Sequence, residues 1–259
     1  MATYLDKILA AHRAAAADDD RSLDALVEQA RATAPTRGFR RALAETDGLA
    51  VISEIKRRSP SKGEINPGVD PASWALSYQR GDATCLSVLT DVEFFGGSPD
   101  DLAAARAAVT IPVLRKDFCI SANDVCDTRR MGADAVLLIV AALDDVELAD
   151  FHDLALELGL DVLVETHDEA EVDRAMAVGA DMVGVNQRDL TTFEVDQARA
   201  VRVAAALPDH VIRVGESGIG GPDDAHALLA AGYHAVLVGE SLMRSGDPAT
   251  AVSALRALR

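Results

Sequence analysis

The chain has 259 residues, of which 49% are apolar, and its 42 acidic residues outnumber its 25 basic residues to give a formal net charge of −17. This charge disfavours a nucleic-acid-binding surface, which needs a basic patch, and no apolar run approaches the roughly 18 to 20 residues of a membrane helix. We therefore expect no nucleic-acid or membrane partner. The start carries no secretory signal pattern, and the three cysteines have neither disulfide nor metal spacing, so we expect a cytoplasmic location.

Residues 1–47 form the first predicted region. They carry helical patterns near 3–17 and 22–33, separated by an acidic triplet and ended around Pro35 and Gly38. So short a segment would have little core of its own, so we expect a helical extension and not a second folded domain. It could cover one end of the domain formed by residues 48–259 or pack on its outside, and we favour a covering lid.

From residue 49 onward, short apolar runs alternate with amphipathic stretches that end in glycine, a residue that suits the left-handed end of a helix. The apolar runs lack strict alternation, as parallel strands covered on both faces do. The pattern predicts strands near 49–55, 85–90, 111–115, 135–140, 161–165, 182–186, 211–216 and 235–238, and helices near 70–80, 99–108, 122–131, 144–158, 168–178, 196–206, 222–231 and 247–257. Eight such units predict an α/β protein with a (β/α)8 TIM barrel, and no dinucleotide fingerprint follows the first strand.

Lysine is rare in this chain, with four lysines against 21 arginines, yet three of the four lie in two short motifs. Lys56 and Lys62 lie within residues 54–63, and Lys116 lies within residues 114–118. Unlike arginine, a buried lysine can lose its proton and act as an acid, a base or a nucleophile. Because Lys56 and Lys116 follow predicted strands, we expect proton-transfer chemistry at the strand ends.

Polar residues follow most of the other predicted strands at the same end of the barrel, where TIM barrels keep their active sites. In chain order they are Glu54, Asp91, Lys116 with Asp117, Glu165, Asn186 with Arg188, Glu216 with Ser217, and Glu240. Taken singly, each could equally be a structural ion pair or a turn residue. Their recurrence at successive strand ends favours an active site.

The last two predicted strands are followed by small, glycine-rich loops at residues 217–221 and 238–241. Backbone N–H groups around Gly218 and Gly239 could bind a phosphate group. The carboxylate of Glu240 would repel an anion, so we expect Glu240 to contribute only its backbone. The six histidines are scattered without metal-ligand spacing, and we expect neither a metal nor another cofactor.

Together these motifs resemble the indole-3-glycerol phosphate synthase family of tryptophan biosynthesis from about residue 49 to the C-terminus. The most specific are Glu54-Ile55-Lys56-x-x-Ser59-Pro60-Ser61-Lys62-Gly63 and Leu114-Arg115-Lys116-Asp117-Phe118. The resemblance implies a lyase, EC 4.1.1.48, that acts on the anionic substrate 1-(2-carboxyphenylamino)-1-deoxyribulose 5-phosphate. Ring closure, decarboxylation and dehydration would give indole-3-glycerol phosphate, CO2 and water.

The resemblance also implies roles for individual residues in general acid–base catalysis. Lys116 is the expected acid that protonates the carbonyl oxygen, Glu165 is the expected group for the second proton transfer, and Lys56 is a candidate acid for that step. The remaining implied catalytic residues, which orient the substrate or tune the lysines, are Glu54, Asn186 and Ser217. The implied binding residues are Ser59, Phe95, Phe118, Arg188 and Leu190 for the substrate, and Gly218, Gly239 and Glu240 for its phosphate.

Two alternatives stay open at this point. A Schiff-base aldolase on the same barrel would use Lys116 as a nucleophile, and borohydride trapping would detect its imine. A catalytically silent phosphate-binding subunit is the second alternative, and the joint presence of the predicted catalytic residues argues against it. Neither the lysine that acts in each step nor docking of another enzyme of tryptophan biosynthesis follows from the sequence.

Overall fold

The computed structural model describes residues 3–189 and 193–257, in which eight parallel strands close into a barrel and two more form a short hairpin. In chain order the strands are β1 (Ala50–Ile55), the hairpin strands β2 (Arg58–Ser59) and β3 (Gly63–Glu64), then β4 (Cys85–Leu89), β5 (Val113–Lys116), β6 (Ala135–Ile139), β7 (Asp161–Thr166), β8 (Met182–Asn186), β9 (Ile212–Glu216) and β10 (Ala235–Val238). Strand β1 pairs with both β4 and β10, which closes the ring. The predicted TIM barrel is confirmed.

In the part of the chain that the structure describes, three helices precede the barrel strands, and the others follow strands and cover the outside of the barrel. In chain order they are α1 (Tyr4–Ala17), α2 (Leu23–Arg31), α3 (Phe39–Ala44), α4 (Pro71–Arg80), α5 (Pro99–Ala108), α6 (Ala122–Arg130), α7 (Asp145–Glu157), α8 (Glu169–Ala177), α9 (Gln197–Ala204), α10 (Pro222–Ala230), α11 (Glu240–Met243) and α12 (Pro248–Arg256). Asp70 and Ser98 cap α4 and α5, each ahead of a proline that suits the first helical turn. Within the described residues, no helix combines the length and apolarity needed to cross a membrane.

The three N-terminal helices occupy three different places on the barrel. Tyr4 and Ile8 of α1 reach the cavity at the carboxyl ends of the strands, whereas α2 packs on the outside against α6. The third helix, α3, lies under the opposite end, where Phe39 is fully buried and Arg40 N donates to Asp161 Oδ2 over 2.9 Å. Residues of the extension therefore lie at both ends of the barrel and on its outside.

The buried carboxylate of Asp134 binds the N-terminal extension to the end of the barrel opposite the cavity, which we call its base. Its side chain accepts hydrogen bonds from Arg106 Nη2 at 2.9 Å, from Arg37 N at 2.8 Å and from Val113 N at 2.8 Å. The residue is 0% exposed, so each donor would lose a buried acceptor without it. Asp134 thus joins the extension to β5 and α5 at the end of the barrel remote from the cavity.

Candidate active site

A cavity of about 890 Å³ opens at the carboxyl ends of the barrel strands, within the range of about 300–1,000 Å³ typical of small-molecule sites. Its wall contains every predicted site residue that the structure describes: Glu54, Lys56, Ser59, Phe95, Lys116, Phe118, Glu165, Asn186, Arg188, Ser217, Gly218, Gly239 and Glu240. Leu190 lies outside the described residues. The sequence motifs thus converge on one site.

Four ionisable side chains meet at the centre of this cavity. Glu54, Lys116, Glu165 and Glu216 stand on β1, β5, β7 and β9, which are alternate strands around the barrel. Side chains that point into a TIM barrel form layers contributed by alternate strands, and those layers are usually apolar. Here the layer that faces the cavity carries three carboxyl groups and one amine.

Lys116 lies at the middle of this layer. Its Nζ atom is 3.1 Å from Glu165 Oε2 and 3.9 Å from Glu216 Oε2. Burial alone would lower the pKa of Lys116, but the negative charges of Glu165, Glu216 and Glu54 outweigh it and raise the pKa above its ordinary value. The side chain is therefore held as an ammonium ion with a proton to donate.

Glu165 is held in the opposite state, as a carboxylate. Burial would raise its pKa, but the charges of Lys116 and His167 and the amide of Asn186 together lower it. Asn186 Nδ2 donates to Glu165 Oε1 over 3.0 Å. Glu165 is therefore oriented on both oxygens and is ready to accept a proton.

Glu216 is a strand-end residue to which the sequence analysis assigns no catalytic or binding role. It is 2% exposed, and its Oε1 atom has no hydrogen-bond partner. Burial, followed by the negative charge of Glu165, raises the pKa of Glu216 well above its ordinary value. Glu216 therefore retains its proton more strongly than an ordinary glutamate does, next to an ionised neighbour.

Gly184 on β8 makes room for Glu216. A Cβ atom at residue 184 would lie 2.0 Å from Glu216 Oε1 and 3.4 Å from Leu163 Cδ1.

We expect Gly184→Ala to displace the Glu216 side chain and lower kcat while the barrel stays folded, which steady-state kinetics and circular dichroism would measure. Gly246→Ala is the matched control, because an added methyl group meets nothing within 4 Å there. A kcat of Gly184→Ala equal to that of Gly246→Ala would show that the space left by Gly184 is not needed for the position of Glu216.

Lys56 forms a second acid–amine pair beside the central layer. Its Nζ atom donates to Glu54 Oε1, and both residues face the cavity, as their spacing of two on one strand predicts. The Tyr78 hydroxyl donates to the Glu54 carbonyl over 3.1 Å and so supports the end of β1. A Cβ atom at Gly239 would lie 2.3 Å from Glu54 Oε1, so the glycine admits this pair.

The glycine-rich loops after β9 and β10 form one end of the cavity. Ser217 and Gly218 have φ angles of 62° and 71°, an uncommon conformation for serine. Gln187 Nε2 donates to the Ser217 carbonyl over 2.8 Å and stabilises this turn. Glu240 Oε1 lies 3.3 Å from Arg244 Nε, so its charge is paired with a cation beside the loop.

Aromatic rings and an arginine line another part of the wall. The rings of Phe95 and Phe118 have centroids 6.4 Å apart. Arg188 Nη1 donates to the Phe193 carbonyl over 2.9 Å, and Arg188 N donates to Asn186 Oδ1 over 3.0 Å. A cavity wall that carries both apolar rings and a cation suits an aromatic ring that carries a carboxylate.

Three possible metal ligands, His12, Asp91 and Asp117, bring their ligand atoms within 4.8 Å of one another. Each carboxylate is already engaged. Arg115 Nη2 donates to Asp117 Oδ2 over 2.9 Å, and two backbone N–H groups donate to Asp91 Oδ1. A metal ion would have to compete with these donors, so the cluster fits an ion-pair network better than a metal centre.

His12 within this network attaches α1 to the barrel. Its Nε2 atom is 2.9 Å from Asp91 Oδ2. Burial alone would lower the pKa of His12, but the hydrogen bond to Asp91 and the charges of Asp117, Asp91 and Asp124 raise it. A pKa that is raised in the folded state stabilises docking at low pH, and that contribution is lost as pH rises through the folded pKa.

We therefore expect α1 to be bound most firmly below pH 6.5, the ordinary pKa of histidine, and to loosen at alkaline pH. Hydrogen exchange of residues 4–17, corrected for the intrinsic pH dependence of exchange, would measure this change. His12→Gln should loosen the helix and remove most of its pH dependence. Protection in the wild type that stays constant from pH 6 to pH 9 would rule out this role for His12.

Sequence reasoning did not assign a role to Glu216, to His167 or to the α1 residues of the wall. Glu216 ends a strand that alternates with the strand of Glu165, so the layer rule of TIM barrels could have found it. His167 lies two residues after Glu165, and its Nε2 atom is 3.6 Å from Glu165 Oε1. The α1 residues carry no motif that points to a ligand.

Comparisons with known proteins show the family of this chain. The family model of indole-3-glycerol phosphate synthase matches residues 5–255. Indole-3-glycerol phosphate synthase 2 of Streptomyces coelicolor is 51% identical over 230 residues, which cover 89% of this chain and 89% of that protein. The indole-3-glycerol phosphate synthase of Mycolicibacterium smegmatis is 49% identical over 256 residues, which cover 98% and 94% of the two chains.

Solved structures extend the likeness at the level of the fold alone. The thiamine phosphate pyrophosphorylase of Pyrococcus furiosus aligns with a TM-score of 0.60 at 16% sequence identity, covering 80% of this chain and 93% of that one. The matches in sequence span nearly the whole chain and include both the barrel and most of the N-terminal extension. The chain therefore belongs to the indole-3-glycerol phosphate synthase family, the decarboxylating lyases of tryptophan biosynthesis.

Proposed function

We propose that this site performs the family's reaction by general acid–base catalysis, with Lys116 as the acid and Glu165 as the acceptor of the second proton. The substrate is 1-(2-carboxyphenylamino)-1-deoxyribulose 5-phosphate. The observation that carries the proposal is the ammonium ion of Lys116 at 3.1 Å from the Glu165 carboxylate inside a buried cavity. A donor and an acceptor in opposite charge states are what two successive proton transfers need.

Lys116 acts in ring closure. The aromatic carbon that bears the carboxylate attacks the ketone carbon, and the Lys116 ammonium gives a proton to the ketone oxygen, which becomes a hydroxyl group. Loss of CO2 then restores the aromatic ring. Glu216 Oε2 lies 3.9 Å from Lys116 Nζ, so Glu216 helps to hold the ammonium ion in place for this step.

Glu165 acts in dehydration. The hydroxyl group leaves as water after it receives a proton, and the adjacent carbon gives up a proton to Glu165. Lys56, which is paired with Glu54 at the edge of the layer, is a candidate donor to the leaving hydroxyl. Because Glu165 also contacts Lys116, the accepted proton can return to the lysine amine.

Substrate placement follows from the chemistry of the cavity wall. The loops at Gly218 and Gly239 bind the phosphate together with the backbone of Glu240, while Phe95 and Phe118 pack on the aromatic ring. Arg188 and Ser59 contact polar groups of the substrate. Leu190 is proposed for the ring by resemblance alone.

The Schiff-base alternative is disfavoured by the charge state of Lys116. An amine nucleophile has to be neutral, and enzymes that use one lower the lysine pKa by desolvation or by a neighbouring cation. Here three carboxyl groups raise that pKa instead. All the described catalytic candidates line one cavity, which argues against a catalytically silent phosphate-binding subunit.

We also propose that residues 1–47 act as an extension whose α1 helix serves as a lid over the site, and that residues 48–259 form the catalytic barrel. Tyr4, Leu5 and Ile8 in the cavity wall support the lid. The three cysteines are free and buried, which supports work in a reducing compartment such as the cytoplasm. The net charge supports the absence of a nucleic-acid partner.

The test is to add the substrate to the purified protein and follow indole fluorescence together with CO2 release. We expect both signals at equal rates. Borohydride also reduces the substrate's own ketone, so the aldolase alternative is tested by the mass of the protein after treatment with substrate and borohydride, and we expect no covalent adduct. A substrate-sized increase in mass that is lost in Lys116→Ala would favour the aldolase alternative. A folded protein that yields neither signal would overturn the proposed function and leave a phosphate-binding barrel.

A further inference from the structure

His167 follows β7 directly and lies between the active site and the protein surface. Its Nε2 atom is 3.6 Å from Glu165 Oε1 and has no hydrogen-bond partner, although it is buried. His167 also lines a second, polar cavity of about 320 Å³. The imidazole is thus a titratable group next to the proposed proton acceptor.

Glu171 fixes the orientation of this ring. Its Oε2 atom is 3.0 Å from His167 Nδ1 and also accepts a hydrogen bond from the His167 backbone N over 2.8 Å. These two contacts hold Glu171, which lies in the first turn of α8, against His167. Because a carboxylate can only accept, Nδ1 carries a proton, and titration of the ring takes place at Nε2, which faces Glu165.

We propose that His167, oriented by Glu171, is a positioning residue that places a positive charge next to Glu165 and keeps it ionised until it accepts the proton. The inference rests on the proposed role of Glu165 as the second proton acceptor. An imidazolium ion at 3.6 Å favours the carboxylate form of its neighbour, and the oxygen that it approaches, Glu165 Oε1, is the one that accepts from Asn186 Nδ2. Glu165 thus has a cation near each oxygen, Lys116 at Oε2 and His167 at Oε1.

The charges around His167 favour its cationic form in the pH range in which Glu165 takes up a proton. Burial alone would lower the pKa of His167, but the hydrogen bond to Glu171 and the charges of Glu165 and Glu171 outweigh both burial and the opposing charge of Arg199. The remaining charged residues along the second cavity are Asp168, Glu169, Asp189 and Arg202. Carboxylates titrate below the ordinary histidine pKa of 6.5, so His167 is charged wherever Glu165 takes up a proton.

The first test compares the pH dependence of kcat in the wild type, in His167→Gln and in Glu171→Gln. Glutamine can still donate a hydrogen bond but cannot carry a charge, so His167→Gln should move the acidic limb of the profile up by about 1 pH unit or more. Glu171→Gln should move it in the same direction by a smaller amount. His226→Gln, on the exposed face of α10, is the control and should leave the profile unchanged.

The second test reads Glu165 without turnover. The carboxyl carbon signal of Glu165 in protein labelled with 13C-glutamate is identified by its absence in Glu165→Gln, and its titration midpoint should rise in His167→Gln. If the titration midpoint of Glu165 rises in His167→Gln but the wild type makes no indole product, the effect of the His167 charge is supported and only the proposed reaction is overturned. An unmoved midpoint and overlapping profiles in a folded His167→Gln variant would overturn the proposal.

Discussion

Replacing Lys116 by alanine is expected to lower kcat by about 10²- to 10⁴-fold, the usual contribution of a positioned general acid. The substitution removes the one ammonium ion of the central layer and leaves Glu54, Glu165 and Glu216 without their shared cation. The phosphate loops lie on other strands, so KM should change much less than kcat. Indole fluorescence at saturating substrate is the measurement.

Lys116→Arg separates charge from proton donation. Arginine keeps the positive charge but does not release its proton at accessible pH, so kcat should stay low even though the carboxylates are neutralised. Lys7→Ala, at an exposed position on α1, is the control for loss of a lysine and should retain wild-type kcat. Activity of Lys116→Ala within tenfold of the wild type would exclude Lys116 as the essential acid.

Replacing Asp134 by alanine should have the largest effect on stability, a loss of about 3–5 kcal/mol as for other broken buried ion pairs. The substitution leaves the Arg106 guanidinium and two backbone N–H groups, of Arg37 and Val113, without their acceptor. The site lies at the base of the barrel, so the folded fraction should keep its kcat. The shift of the urea unfolding midpoint measures the loss.

Asp209→Ala is the matched control for an acidic residue paired with an arginine. Asp209 Oδ1 lies 3.3 Å from Arg213 Nη2, but the aspartate is fully exposed, and such surface pairs contribute about 0–1 kcal/mol. Its urea midpoint should stay close to the wild-type value. Equal midpoints for Asp134→Ala and Asp209→Ala would show that the buried network does not hold the extension to the barrel.

Much of the fold could be predicted because the barrel repeats one local pattern. Most barrel strands are apolar runs between a helix that ends in glycine and a polar loop, and these features are local in sequence. Helix α3 and the hairpin of β2 and β3 escaped prediction because six and two residues, respectively, are too few to show a period. The α1 helix was predicted, but its contact between His12 and Asp91 joins distant parts of the chain.

The site was predictable to the extent that barrel geometry places all strand ends at one mouth. The positions of Lys116 and Glu165 at this mouth were predicted because both residues lie at the ends of predicted strands. The proton affinity of Glu216 could not be predicted, because it arises from burial and from the charge of Glu165 on a different strand. His167 was missed for a similar reason, since its role depends on the 3.6 Å distance to Glu165.

The pairing of the first barrel strand with the last has a consequence for how the chain reaches its native state. Ala50 aligns with Ala235, and Ala50 N donates to the His234 carbonyl over 2.9 Å. Contacts between residues so far apart in sequence make folding slow. During synthesis β1 emerges well before β10, so the ring closes only when all eight barrel strands have left the ribosome. Until then the β1 edge is unpaired and open to other nascent chains.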